Sequence, residues 1–246
     1  MPRLSLTGNQ LKLIAVLAML FDHLVVLFVP YQAWPLWLLR LPGRIAAPIL
    51  CFQIAEGYHH TSNLKAYALR LLVCALLSHV PYALCFGYGF FESTSVLWSL
   101  LLGLVALHAM RAPQLSPWLR GLCLLLCCAL AFNANWNFVG VLWIVGFGCF
   151  HGNWKKQVLA FSLVAVFGHL LPGCLLFGYL SGGTLRLYQV GVFLALPLLA
   201  LYNGKRGNRS AFLRWFFYAF YPAHLLLFYL LSRDLRGNPH LRDLGP

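Results

Sequence analysis

Long apolar runs make up most of this chain, and short polar or glycine- and proline-bearing stretches separate them. The runs fall at roughly 11–29, 44–58, 66–86, 96–110, 119–132, 138–150, 157–171, 187–202 and 211–231. Such spacing predicts an all-α polytopic transmembrane bundle of about nine spans, within a range of roughly eight to ten. Several runs fall short of the ~20 apolar residues a spanning helix needs, and flanking aromatics would have to complete them. The piece 173–181, bounded by Pro172-Gly173 and Ser181-Gly182-Gly183, has the limits of a re-entrant element. No internal repeat or low-complexity run divides the chain, which predicts a single integral-membrane domain over 1–246.

Composition agrees with that pattern. Hydrophobic residues make up 61% of the sequence and charged residues only 9%, against about a quarter in soluble domains. The formal net charge is +13. In a soluble protein this would suggest nucleic acid, but the cations fall mainly between apolar runs, and no basic-aromatic stripe or recognition-helix pattern accompanies them. No nucleic-acid partner is expected; the expected surroundings are a lipid bilayer. Alternate loops differ in charge. One set holds Arg3, Lys12, Lys65, Arg70, Arg111, Arg120, Lys155, Lys156, Lys205, Arg206, Arg209 and Arg214, and the other is poorer. The positive-inside rule then predicts a cytoplasmic N-terminus, although three arginines in the C-terminal tail weaken the parity argument. The first run is too long for a cleaved signal and lacks a small-residue cleavage site. Most of the eight cysteines lie in apolar runs and none forms a CxxC pair, so they read as small buried hydrophobes, with a Cys85–Cys174 bridge left open. No zinc-ligand spacing is present, and no metal is expected.

Polar residues inside the apolar runs carry the candidate chemistry. A carboxylate at membrane depth costs several kcal/mol unless it faces a bundle interior or an aqueous cavity, and Asp22-His23 lies beyond the middle of the first run. Lys12 and His23 are eleven positions apart, which on a helix is three turns plus about 20° and a rise of roughly 16 Å. Both therefore share a face, a cation near the lip and an imidazole deep below it. That arrangement suits a long ligand with an anionic head and a reactive tail, such as a coenzyme A thioester. Adjacent helical residues point about 100° apart, so Asp22 is expected to pair with an arginine of a neighbouring helix, Arg44 or Arg70. Glu56 falls at a helix C-terminus, where the dipole opposes it and a cation such as Lys65 or Arg70 must balance it. His79 and His224 are further candidates to line a site, ahead of His108 and His169.

The residues Leu11-Lys12-Leu13-Ile14-Ala15, Met19 and Asp22-His23 are followed by Gly43-Arg44-Ile45-Ala46-Ala47-Pro48. Then come Ala55-Glu56-Gly57-Tyr58-His59-His60-Thr61, Asn63, Tyr67, Arg70-Leu71, Ser78 and Pro81-Tyr82, and near the other end Phe217-Tyr218 with Tyr221-Pro222-Ala223-His224-Leu225. Together they resemble the TraX family. The likeness covers about 90 N-terminal residues plus the late motif. It departs from the family pattern at Ala47, where a bulky apolar residue is usual, and at the adjacent His59-His60. The resemblance implies a bacterial inner-membrane enzyme that uses acetyl-CoA to acetylate the N-terminus of a conjugative pilin subunit. The Lys12–His23 spacing is also similar to the basic-x10-His motif of the membrane acyltransferase-3 group, where the histidine is held to be essential.

On this reading Lys12 and the loop cations Lys65, Arg70 or Arg111 meet the phosphates, and Asp22 holds an arginine, Arg44 or Arg70, to stabilise an oxyanion. His23 serves as general base or transient acetyl carrier. The outward-loop residues Asn133, Asn135 and Asn137 are candidates to receive the acceptor peptide. Two other readings use the same residues: an O-acyltransferase of a surface polysaccharide, and a proton-coupled transporter relaying through Asp22, Glu56 and the histidines. No inverted repeat or pair of broken helices supports the transporter. A non-catalytic assembly scaffold is the third alternative.

Overall fold

A computed structural model describes residues 5–29, 38–172, 187–208 and 210–237. The expected re-entrant piece 173–181 and Cys174 of the open bridge lie outside the described residues. Helices account for the regular structure among them, together with two isolated β-bridges, Leu6 with Tyr202 and Thr94 with Ala134. The first helices are α1 (Gly8–Phe28), α2 (Arg40–Gly43), α3 (Ala46–His60), α4 (Leu64–Phe86) and α5 (Val96–Arg111). They are followed by α6 (Pro117–Leu130), α7 (Asn137–Cys149) and α8 (Trp154–Leu163), which continues as a π-helix over Val164–Leu170. A 3₁₀ helix (Leu187–Leu194) leads into α9 (Ala195–Ala200), and α10 (Ala211–Gly237) closes the bundle.

Every predicted apolar run forms a helix, but length divides them. Three segments, Gly8–Phe28, Leu64–Phe86 and Trp215–Arg233, are long and apolar enough to cross a membrane. Helices α5, α6 and α7 hold 16, 14 and 13 residues, about 20–24 Å at 1.5 Å per residue, against a hydrocarbon core of ~30 Å. The expectation of an all-helical membrane protein stands. The short helices do not individually provide the length that nine full spans require.

Local signals set the helix limits. The Thr7 backbone N–H donates to Gln10 Oε1 at 2.8 Å while Gln10 N–H donates to Thr7 Oγ1 at 3.4 Å, a capping box that fixes the start of α1. Asn63 Oδ1 accepts from Ala66 N–H at 2.9 Å at the start of α4, and Gly87, at φ 72°, ends it in the left-handed conformation. Inside the bundle α5 packs on α7, α3 on α7 and α1, and α10 on α4. Small residues permit the closest approach: a Cβ at Gly103 of α5 would collide with Ile144 of α7. Large apolar side chains also face outward, among them Leu13, Leu17 and Leu24 on α1 and Leu69, Val73, Leu76, Leu77, Val80 and Leu84 on α4. An outer surface this apolar is one that lipid covers.

Loops alternate between two ends of the bundle. At one end the residues before α1 meet the stretch before α10: Leu6 N–H donates to Leu201 O at 2.7 Å and Gly8 N–H to Lys205 O at 2.8 Å. At the other, Thr94 N–H donates to Asn133 O and Asn135 N–H to Thr94 O, both at 2.9 Å.

Candidate functional site

Asp22 and His23 leave α1 in different directions, as neighbouring helical positions must. Asp22 faces α2 and α3. Its carboxylate accepts a two-pronged contact from Arg40, Nε to Oδ1 at 3.0 Å and Nη2 to Oδ2 at 3.2 Å, and a second ion pair from Arg44 Nη2 to Oδ2. The expected partner Arg44 is therefore present. Arg70, the other candidate, stands 5.9 Å above the Tyr67 ring instead. Arg40 was not anticipated, though the four-residue spacing from Arg40 to Arg44 put both on one helical face. Tyr188, 148 positions along the chain, completes the cluster: its ring lies 4.7 Å from the Arg40 guanidinium and its hydroxyl accepts from Arg40 Nη1 at 3.3 Å. Gly43 lets α2 approach, since a Cβ there would overlap the Asp22 side chain.

One carboxylate thus holds two guanidiniums in a largely buried place. Such a group is tolerated only when each charge is paired and hydrogen-bonded. Arg44 Nε is buried and has no hydrogen-bond partner among the described residues, so one of its donors points into the site without a partner among them.

His23 faces the other way, toward α10 and α4. Its Nδ1 lies 3.0 Å from His224 Nε2, and both residues are buried. The ring planes differ by 9° and the centroids are 5.2 Å apart. The centroid spacing exceeds the nitrogen separation by about the two ring radii, so the imidazoles meet edge to edge in a hydrogen bond. His224 Nδ1 lies 2.9 Å from the Phe220 carbonyl oxygen and must carry the proton it donates there. In neutral His224 the Nε2 then accepts, which assigns the shared proton to His23 Nδ1 and leaves His23 Nε2 as a lone pair. Phe86 of α4 packs edge-on against the His23 ring at 5.3 Å.

Both halves of the site border a cavity of about 30 Å³ lined by Met19, Asp22, His23, Arg44, Asn135 and Tyr221, among others. That is room for one or two waters. Asn135 joins the lining from the α6–α7 loop.

The remaining sequence candidates lie elsewhere. Lys12 shares the α10-facing side of α1 with His23 and stands 5.8 Å from the Phe217 ring centroid. Lys65 is exposed at the start of α4. His79 meets the Phe90 carbonyl oxygen at 2.7 Å, in the loop after α4, and is not part of the His23 pair. His108 is exposed near Tyr58, and His169 pairs with Gln189 at 2.8 Å beside Trp136. Glu56 is buried, but its ion-pair partners among the described residues are His60 and His151 rather than Lys65 or Arg70. The C-terminal turn of α3 leaves Glu56 facing the α7–α8 turn, which sequence spacing could not reveal.

The sequence profile of the TraX protein family matches residues 7–232. This chain belongs to the TraX family. The matched span includes the Asp22–Arg44 cluster and the His23–His224 pair, so both halves of the site are drawn from the family region. The chain is 30% identical over 236 residues to the probable fimbrial assembly protein FimC, serogroup H1, of Dichelobacter nodosus, covering 91% of this chain and 95% of that one. It is also 25% identical over 165 residues to an uncharacterized protein of Rickettsia prowazekii (strain Madrid E), covering 65% and 61% of the two chains. No solved structure matches.

Proposed function

We propose that this TraX protein is a membrane-embedded acetyltransferase that moves an acetyl group from acetyl-CoA to the N-terminal amine of a pilin subunit. The observation that carries the proposal is the buried His23–His224 pair, with a lone pair left on His23 Nε2, beside a two-arginine cluster and a small cavity. The fimbrial assembly relative supports a pilus subunit as the partner.

Acetyl-CoA supplies an activated acyl group. Lys12 at the far end of the shared face, with Lys65 and Arg70 near that end of the bundle, are the cations for its phosphates. His23 Nε2 takes the proton of the attacking amine, whose ordinary pKa of about 7.7 to 8.0 leaves only a modest equilibrium to shift. The nitrogen–carbon bond forms as the carbon–sulfur bond breaks, and the leaving thiolate receives the proton from the imidazolium. His224 acts as a positioning residue: it holds the His23 tautomer and shares the imidazolium charge through the hydrogen bond. Arg44 stabilises the oxyanion, and Asp22 keeps two guanidiniums in place without leaving them unpaired. Asn135 stands at the rim where a peptide end would enter.

The deciding experiment is the intact mass of mature pilin from cells carrying the wild-type protein, His23→Ala, or neither. The expected result is the mass of one acetyl group on the N-terminal residue, present with wild type and lost in the variant at equal membrane abundance. An unchanged pilin mass with the wild-type protein overturns pilin acetylation and directs the same residues to a surface-glycan hydroxyl. An acetyl group that survives His23→Ala overturns the assigned base.

A further inference from the structure

A second polar cluster lies at the opposite end of α3. Arg44 and Glu56 are twelve positions apart, so about 18 Å of helix separates it from the Asp22 cluster. Glu56 and His60 stand one turn apart on α3, with Glu56 Oε2 3.4 Å from His60 Nε2. His151 comes from the turn between α7 and α8 and places Nε2 3.0 Å from Glu56 Oε1. One ligand atom from each of the three lies within 4.8 Å of the others.

We infer that Glu56, His60 and His151 bind a divalent transition-metal ion, zinc by ligand type, with a coordination position open to solvent. The donor set is the two-histidine, one-carboxylate combination of open zinc sites. Ligand atoms of a tetrahedral zinc stand about 3.3 Å apart, given bonds of ~2.0–2.1 Å, so the observed spacings close onto an ion with small side-chain adjustments. The carboxylate is 9% exposed, whereas the His60 and His151 side chains are 60% and 34% exposed. Burial anchors one ligand and access is kept on the other two. A buried carboxylate needs a positive partner, and a metal ion supplies one while using the neutral lone pair of each imidazole.

The scaffold holds the third ligand in place. Gly152, at φ 82°, turns the chain sharply after α7, and Asn153 N–H donates to Phe150 O at 2.9 Å across that turn. The His59 ring stacks on His151 with centroids 4.0 Å apart, and His59 Nε2 meets the Gly148 carbonyl oxygen at 2.9 Å. The adjacent pair His59-His60 thereby divides its work, one ring supporting His151 and the other joining the cluster. A bound ion would fasten the end of α3 to the α7–α8 turn.

The test is independent of acetyl transfer. The purified full-length protein in detergent is stripped with chelator, dialysed against Zn²⁺, and its metal content measured. Co²⁺ replaces Zn²⁺ in a parallel sample for visible absorption of a tetrahedral site. The expected result is about one Zn²⁺ per chain in wild type, lost in His151→Ala and Glu56→Gln. His60→Ala changes an exposed residue, so its loss of binding with an unchanged gel-filtration profile separates a lost ligand from a lost fold. His59→Ala weakens binding by roughly 10- to 100-fold without changing stoichiometry. Wild-type protein that takes up no Zn²⁺, or equal uptake by the His60→Ala/His151→Ala double variant, overturns the site.

Discussion

Asp22 and His23 are adjacent in sequence yet serve different partners, and their substitution should fail in different ways. Asp22→Ala removes the carboxylate that holds Arg40 and Arg44. Breaking a buried ion pair by removing one partner costs about 3–5 kcal/mol, so the variant should show a large fall in thermal stability in detergent. Arg40→Met added to Asp22→Ala should return part of that stability, because effects within one ion cluster do not add. His23→Ala should leave stability closer to wild type and lower acetylation by roughly 10²- to 10⁴-fold, the usual worth of a general base. His224→Ala should cost less. His224→Gln, whose amide oxygen can still accept from His23 Nδ1–H, should recover part of the loss, with the acetylated fraction of mature pilin read by intact mass. A purely structural histidine would not show that ordering.

At the scale of elements, the site depends on close approaches that leave no room for a methyl group. Gly43 of α2 faces the Asp22 side chain, so Gly43→Ala should push α2 from α1, loosen both arginine contacts and destabilise by about 1–3 kcal/mol. Denaturation of the purified variant measures it, and a wild-type transition would contradict the packing described. Gly103→Ala at the α5–α7 contact should be destabilising too, and Ile144→Ala in the same chain should offset it by clearing the space the new methyl needs. These helices also illustrate a limit of hydropathy. Periodicity and composition locate apolar helices, but the 13 to 16 residues of α5 and α7 are set by caps and turns rather than by bilayer thickness.

Across the whole molecule, most of the cations among the described residues lie at one end. Lys65, Arg111, Arg120, Lys155, Lys156, Lys205 and Arg206 lie on or beside the loops that join Leu6, Glu56 and His151, whereas Arg40 and Arg44 at the other end are bound up with Asp22. The positive-inside rule predicts that the Lys12 end faces the cytoplasm and the Asn133–Trp136 loop faces outward. A membrane-impermeant maleimide should label Phe91→Cys from outside, above the native-cysteine background, and Ser62→Cys only after lysis. The reverse pattern would invert the topology. By itself the sequence determined that the chain is a helical membrane protein of the TraX family, because apolar run length and local motifs are properties of consecutive residues. It also determined that Lys12 and His23 share a face, because helical phase follows from spacing alone. Only the tertiary structure decided that Arg40 and Tyr188 join Asp22, that His224 meets His23, and that His151 reaches Glu56. Those partners come from segments up to 201 positions away, and packing between helices, which no local spacing encodes, selects among several equally placed candidates.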